Sequence, residues 1–158
     1  MKPHPPRLTD PPNRIVTVLL AYAVLSGSMA LAGLSAPRSI EVTLPPSLRL
    51  VWAGSLVTGG VAALAGQYWR GRPFTGARLK RGGLLVAGGG MLAYGAAVLI
   101  AVGVSAGSQA GLANLAFGLA FADRSRQVGQ LLRAAQVHAD AFHRRVGLGG
   151  EERRGAGG

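Results

Sequence analysis

The sequence contains no cysteine. That excludes a disulfide, a thiolate nucleophile and any cysteine-ligated metal, and it leaves the redox compartment unmarked. Acid is also scarce, with six Asp and Glu against 17 Lys and Arg in 158 residues. No two carboxylates are placed to share a site for general acid–base work. Charged residues make up 15% of the chain, well below the roughly 25% of an average soluble protein. Histidine occurs only at His4, His138 and His143. His138, Asp140 and His143 do not read as a metal site, because a spacing of five does not place two imidazoles on one helix face as the i, i+4 pair of HExxH does. The glycines at 82–83 and 88–90 lack the Lys-Ser/Thr of a P-loop, and no serine stands in a GxSxG elbow. Enzymatic activity, a cofactor and a metal are therefore not expected.

What the chain has is long uncharged stretches. Residues 82–122, GGLLVAGGGMLAYGAAVLIAVGVSAGSQAGLANLAFGLAFA, run for 41 positions without one charged side chain. About 20 apolar residues cross the hydrocarbon core of a bilayer as a helix. This stretch holds two such crossings, with a soft break at residues 105–109. Residues 15–36 form a further uncharged run of 22. It exceeds the roughly 7–15 residues of a signal-peptide core, so it reads as a retained membrane helix. Residues 48–69 supply another, flanked by Arg49 and Trp52 at one end and by Tyr68 and Trp69 at the other. Trp and Tyr favour the membrane–water interface.

Backbone groups in lipid must be satisfied internally, which makes such runs helical. The expected fold is all-α: a polytopic integral membrane protein with four transmembrane helices in an antiparallel bundle, at about 15–36, 48–69, 83–104 and 107–122. A basic, proline-rich tail (1–14) is expected to be disordered. Residues 123–146 carry Val128, Leu131, Leu132, Ala135, Ala139, Phe142 and Val146 at spacings of three and four, one face of an amphipathic helix. Gly147, Gly149 and Gly150 are expected to end it, leaving 147–158 as a flexible tail.

Orientation follows from the basic residues. Cytoplasmic loops collect Lys and Arg. With four crossings, the N-terminal tail, the 70–81 segment and the C-terminal segment share one side, and they hold three, five and seven of the 17 basic residues. Only Arg38 and Arg49 lie on the other side. Both termini are thus expected in the cytoplasm, and the Ala, Gly, Leu, Val and Arg bias, which looks like that of a GC-rich bacterial or phage genome, makes a bacterial inner membrane the expected location. The charge is then explained by topology and by anionic lipid headgroups, with Arg70, Arg72, Arg78, Lys80, Arg81, Arg124, Arg126 and Arg133 as the residues facing them, each attracted by about 1 kcal/mol. Nucleic acid is not expected as a partner.

Small residues let membrane helices approach closely. Gly89, Ala93, Ala97 and Ala101 form a ladder at spacing four, and Gly107 and Gly111 make a GxxxG. These residues, with Asn114 as an interhelical hydrogen-bond partner, are the candidate packing or self-association surface. Whether the packing lies within one molecule or between copies stays open. No Asp, Glu, Lys, Arg or His lies in mid-span, whereas a proton- or ion-coupled carrier normally needs one.

ARLKRGG at 77–83 leads into the third span, and DRSRQVGQLLRAAQ at 123–136 closes the fourth. In this plan the chain resembles the small four-span membrane proteins of actinobacterial phages and prophages, some of them holin-like. The resemblance is architectural and covers most of the chain. It implies a non-enzymatic protein that forms homo-oligomers in the inner membrane and permeabilises it. The alternatives are a scaffold or accessory subunit of a membrane complex, and a small channel or exporter.

Overall fold

The computed structural model describes residues 13–34, 45–102 and 108–155; side chains of 102, 108, 140 and 142–155 fall outside the description. The described residues form four helices: α1 (Arg14–Leu31), α2 (Pro46–Gln67), α3 (Pro73–Val102) and α4 (Ser108–Gly155). Each packs against its predecessor in the chain. The first three are long and apolar enough to cross a membrane. The predicted N-terminal tail lies almost wholly outside the described residues, as does Gly107.

Local chemistry sets the helix ends. Asn13 caps α1, its side-chain oxygen accepting from Ile15 N at 3.0 Å and Val16 N at 3.5 Å. Gly33 closes that helix at φ 69, with Leu34 N donating to Met29 O at 3.0 Å and Gly33 N to Ala30 O at 3.2 Å. A left-handed residue after the last turn is a common helix stop, and glycine adopts it without a Cβ penalty. The expected span to residue 36 therefore ends earlier, although apolar composition continues. Pro46 and Pro73 open α2 and α3, where the missing N–H of proline costs nothing. As a result α3 starts ten residues before the expected 83. Arg78, Lys80 and Arg81 lie on its first turns rather than in a loop, and the true connection is short.

At the other end, α4 is one helix of 48 residues, about 72 Å long at 1.5 Å per residue. The expected fourth span continues without a break into the expected amphipathic helix, and the helix runs on through most of the segment expected as a flexible tail. Each interior glycine weakens a helix by only about 1 kcal/mol, so Gly147, Gly149 and Gly150 do not stop it. Glu151, Glu152, Arg153 and Arg154 beyond them are good helix formers. Of the predicted amphipathic face, Val128, Leu132 and Ala135 are buried, whereas Leu131 is 47% exposed.

The core runs through all four helices. Leu20 and Ala23 of α1, Trp52, Ala53, Leu56 and Ala63 of α2, Leu84, Ala87, Met91, Tyr94 and Val98 of α3, and Phe121 of α4 form one buried cluster. Trp52, expected at an interface, faces the bundle interior. It is 8% exposed and packs against Tyr94 with ring centroids 5.1 Å apart at 44°. Large apolar side chains also cover the outside, including Ile15, Val18, Leu25, Val51, Leu85, Leu119 and Ile100, the last 86% exposed. Such exposed apolar side chains are compatible with helices long and apolar enough to cross a membrane.

Backbone contact at glycine holds the bundle. A Cβ placed on Gly59 would sit 2.5 Å from Ala87 N and 2.8 Å from Gly83 O; one on Gly83 would sit 2.5 Å from Gly59 O and collide with Ala63 N. The α3–α4 crossing repeats the arrangement: a Cβ on Gly95 would be 2.8 Å from Gly111 O, and one on Gly88 3.2 Å from Gly118 O. At the α1–α2 crossing, a Cβ on Gly27 would be 2.8 Å from Ala53 O.

These distances separate glycines that touch a neighbour from those that do not. Gly59→Ala should destabilise the bundle by about 1–3 kcal/mol through overpacking. Gly54→Ala, on the same helix with nothing within 4 Å of its added Cβ, should be neutral or stabilising by up to about 1 kcal/mol. Unfolding of both variants in detergent micelles checks this; equal responses would contradict the assigned contact.

Candidate functional site

Three places stand out: two cavities with polar or unpartnered groups, and one uncovered helix face. The first lies where the α2–α3 connection meets the middle of α4. A cavity of about 340 Å³ is lined there by Gly66, Gln67, Trp69, Arg70, Lys80 and Leu132, among others. Lys80 is only 6% exposed. The reason is the seam between α2 and α3. Gly76, Lys80, Gly83 and Ala87 follow one another at spacings of three and four, and each faces α2. A Cβ on Gly66 would collide with Lys80 N and sit 2.6 Å from Gly76 O. Close approach at Gly66 thus draws the backbone of Lys80 into the packed seam. Among the described residues, Lys80 has no hydrogen-bond acceptor and no acidic partner.

Gln67 shares this cavity. Its Nε2 donates to Thr17 Oγ1 at 2.6 Å, tying the end of α2 to the start of α1. Its Oε1 is buried without a donor. The other basic residues at this end behave differently. Arg70, Arg72, Arg78, Arg126 and Arg133 are exposed. Arg81 is half-buried, its guanidinium lying over Gly129, and its Nε has no acceptor. Arg124 donates from Nη1 to Gln127 Oε1 at 2.7 Å. Ser125, 2% exposed, donates to Arg81 O at 3.5 Å. The eight residues expected to face lipid headgroups therefore divide into an exposed set and a more enclosed set of Lys80, Arg81 and Arg124.

The second place is a cavity of about 210 Å³ within the apolar half of the bundle, lined by Tyr22, Ser26, Trp52, Tyr94, Asn114 and Phe117, among others. Trp52 Nε1 is buried there without an acceptor. Asn114 does not bridge helices as expected. Its Nδ2 donates to Ala110 O of the preceding turn at 2.8 Å, a bond open to any short polar side chain in a helix. Ser55 and Thr58 are satisfied in the same way, by Trp52 O and Gly54 O, each at 2.7 Å.

The third is the outer face of α3. Gly89, Ala93 and Ala101 are exposed and Ala97 is half-buried; a Cβ on Gly89 would meet nothing within 4 Å. The ladder thus points away from both neighbouring helices. Gly111 belongs to the internal α3–α4 crossing instead. His138 is exposed, with Nδ1 2.9 Å from Ala134 O, and no group of three metal-ligating side chains occurs among the described residues.

Neither Gln67–Thr17 nor the burial of Lys80 was anticipated from composition. A signal for Lys80 exists in the 76–80–83–87 spacing, which continues the small-residue seam through the lysine. Compared with protein-family models, curated proteins and solved structures, the chain matches none.

The Thr17–Gln67 bond yields a direct test. Thr17→Val keeps the shape of the side chain and leaves the Gln67 amide without a partner at either end. It should destabilise the protein by about 1–3 kcal/mol, the usual penalty for an orphaned buried polar group. The equilibrium unfolding midpoint in micelles measures it; an unchanged midpoint would show that the bond carries no weight.

Proposed function

We propose that this chain is a non-enzymatic integral membrane protein that crosses the bilayer four times, with both termini in the cytoplasm, and that copies associate through the outer face of α3 to permeabilise the membrane in a holin-like manner. The single observation behind it is the exposed ladder Gly89, Ala93, Ala101, which none of the described residues covers. A row of small residues facing lipid lets a second helix approach to backbone distance.

The fourth crossing is supported by position. Gly111 and Gly118 of α4 meet Gly95 and Gly88 of α3, so the uncharged start of α4 lies alongside the apolar half of α3. Its Gln109 and Asn114 lower its apolarity without adding charge. An even number of crossings puts the basic N-terminus, the Arg70–Arg81 segment and the distal half of α4 on one side, as the positive-inside rule favours.

A second reading, scaffold or accessory subunit of a membrane complex, is favoured by the distal part of α4. Gln130, Arg133, Gln136 and His138 are exposed and Val137 is 66% exposed, a surface suited to a partner.

Inducible expression in a bacterium with a co-expressed cytosolic muralytic enzyme separates the two. Permeabilisation predicts abrupt depolarisation followed by lysis, abolished by Gly89→Leu or Ala93→Leu, neither of which touches the bundle interior. Stable growth with the protein in the membrane contradicts hole formation and favours the scaffold.

A further inference from the structure

The cavity at Lys80 contains more than general basic character explains. Removing an ammonium from water is costly unless an acceptor replaces the lost hydration. Lys80 is almost wholly buried as a residue, but its ammonium is not fully enclosed: it borders the cavity and meets no acceptor among the described residues. Exposed Arg70 is the other charged residue lining the cavity, so both charges there are positive. The Gln67 Oε1 is buried and lacks a donor. On the α4 side the wall is apolar: Val128, Leu131 and Leu132.

These three features specify complementary chemistry. The cations ask for an anion, the amide oxygen for a hydroxyl or amine donor, and the apolar wall for hydrocarbon. A volume of about 340 Å³ falls at the lower end of the range for small-ligand sites. The cavity also lies at the basic end of the bundle, beyond the uncharged stretch 82–122. From this juxtaposition we infer that the cavity is a binding site for one glycerophosphate headgroup, whose phosphate Lys80 and Arg70 receive and whose hydroxyl Gln67 accepts. The shared chemistry is a phosphate ester bearing a hydroxyl; an anionic phospholipid and a soluble glycerol phosphate are its two sources. The inference rests on the membrane placement proposed above but not on self-association.

The site differs from diffuse attraction to anionic lipid in depending on one buried residue. The test uses the full chain in lipid nanodiscs of phosphatidylcholine alone or with phosphatidylglycerol, with bound lipid counted by native mass spectrometry. Wild type should retain one phosphatidylglycerol in preference to phosphatidylcholine. Lys80→Met should weaken that retention by about tenfold or more, since charge-assisted hydrogen bonds are among the stronger polar contacts. Exposed Arg78→Gln should change it by no more than about twofold, as a screened surface charge does. Lys80→Met should also keep the melting temperature in phosphatidylcholine, because Met preserves the buried apolar stem while removing the charge, so a folding defect is not confused with lost binding.

Soluble glycerol 3-phosphate distinguishes the sources. Lysine-dependent stabilisation by the soluble ester alone assigns the site to a free ligand; retention of lipid that the soluble ester does not displace assigns it to the headgroup. Equal losses in the Lys80 and Arg78 variants, or no preference and no response to either probe, overturn the site. Failure of wild type to incorporate into discs of either lipid overturns the membrane placement and this inference with it.

Discussion

Helix backbones in this protein touch, and the rest of the structure depends on that contact. At the α2–α3 crossing Gly59, Gly83, Ala63 and Ala87 leave no room for a further carbon. Lipid gives apolar side chains no reason to leave it for one another, so helix association in a bilayer relies on close packing. The same device recurs at Gly27 against α2 and at Gly95 and Gly88 against α4. With three crossings fixed this way, larger side chains fill what remains. Trp52 and Tyr94 fill the interior between the α1–α2 and α3–α4 pairs, and the long apolar side chains are left for the exterior.

The same constraint accounts for Lys80. Its position continues a seam of small residues, so the approach that Gly66 permits carries a lysine backbone into the packed region. A long stem then has to run through the interior towards the polar end, as basic residues near membrane helix ends do. Here it reaches a cavity instead of open water. Packing geometry and ligand chemistry are therefore coupled, because the seam that holds α2 to α3 also creates the cation-lined space beside it.

Much of the fold was legible because uncharged runs of membrane length have few structural options. Residues 15–36 and 48–69 announced α1 and α2 to within a few positions. The ends were not legible from composition. Gly33 stops α1 by backbone conformation, and Pro73 starts α3 inside what charge alone marked as a loop. The C-terminal glycines misled in the opposite direction, since a modest cost per glycine does not outweigh the flanking helix formers. The small-residue ladder was legible as a pattern, but its direction was not. Gly89 and Gly88 are adjacent in sequence and face different surroundings, and only the packing shows that Gly88 meets α4 while Gly89 meets nothing. The partner of Asn114 was not legible for a similar reason: its side chain donates to a carbonyl of its own helix, Ala110 O.

The central claim is that backbone separation, not helix propensity, governs the α2–α3 crossing. A double-mutant cycle on Gly59→Ala and Gly83→Ala tests it most directly, with unfolding free energies measured for each single variant and the pair. Once one alanine has pushed the helices apart, the second meets less resistance. The double variant should therefore cost less than the two single variants together, by a coupling of about 0.5–3 kcal/mol, as expected for residues in contact. Strict additivity would mean that each glycine acts within its own helix, and it would contradict the account.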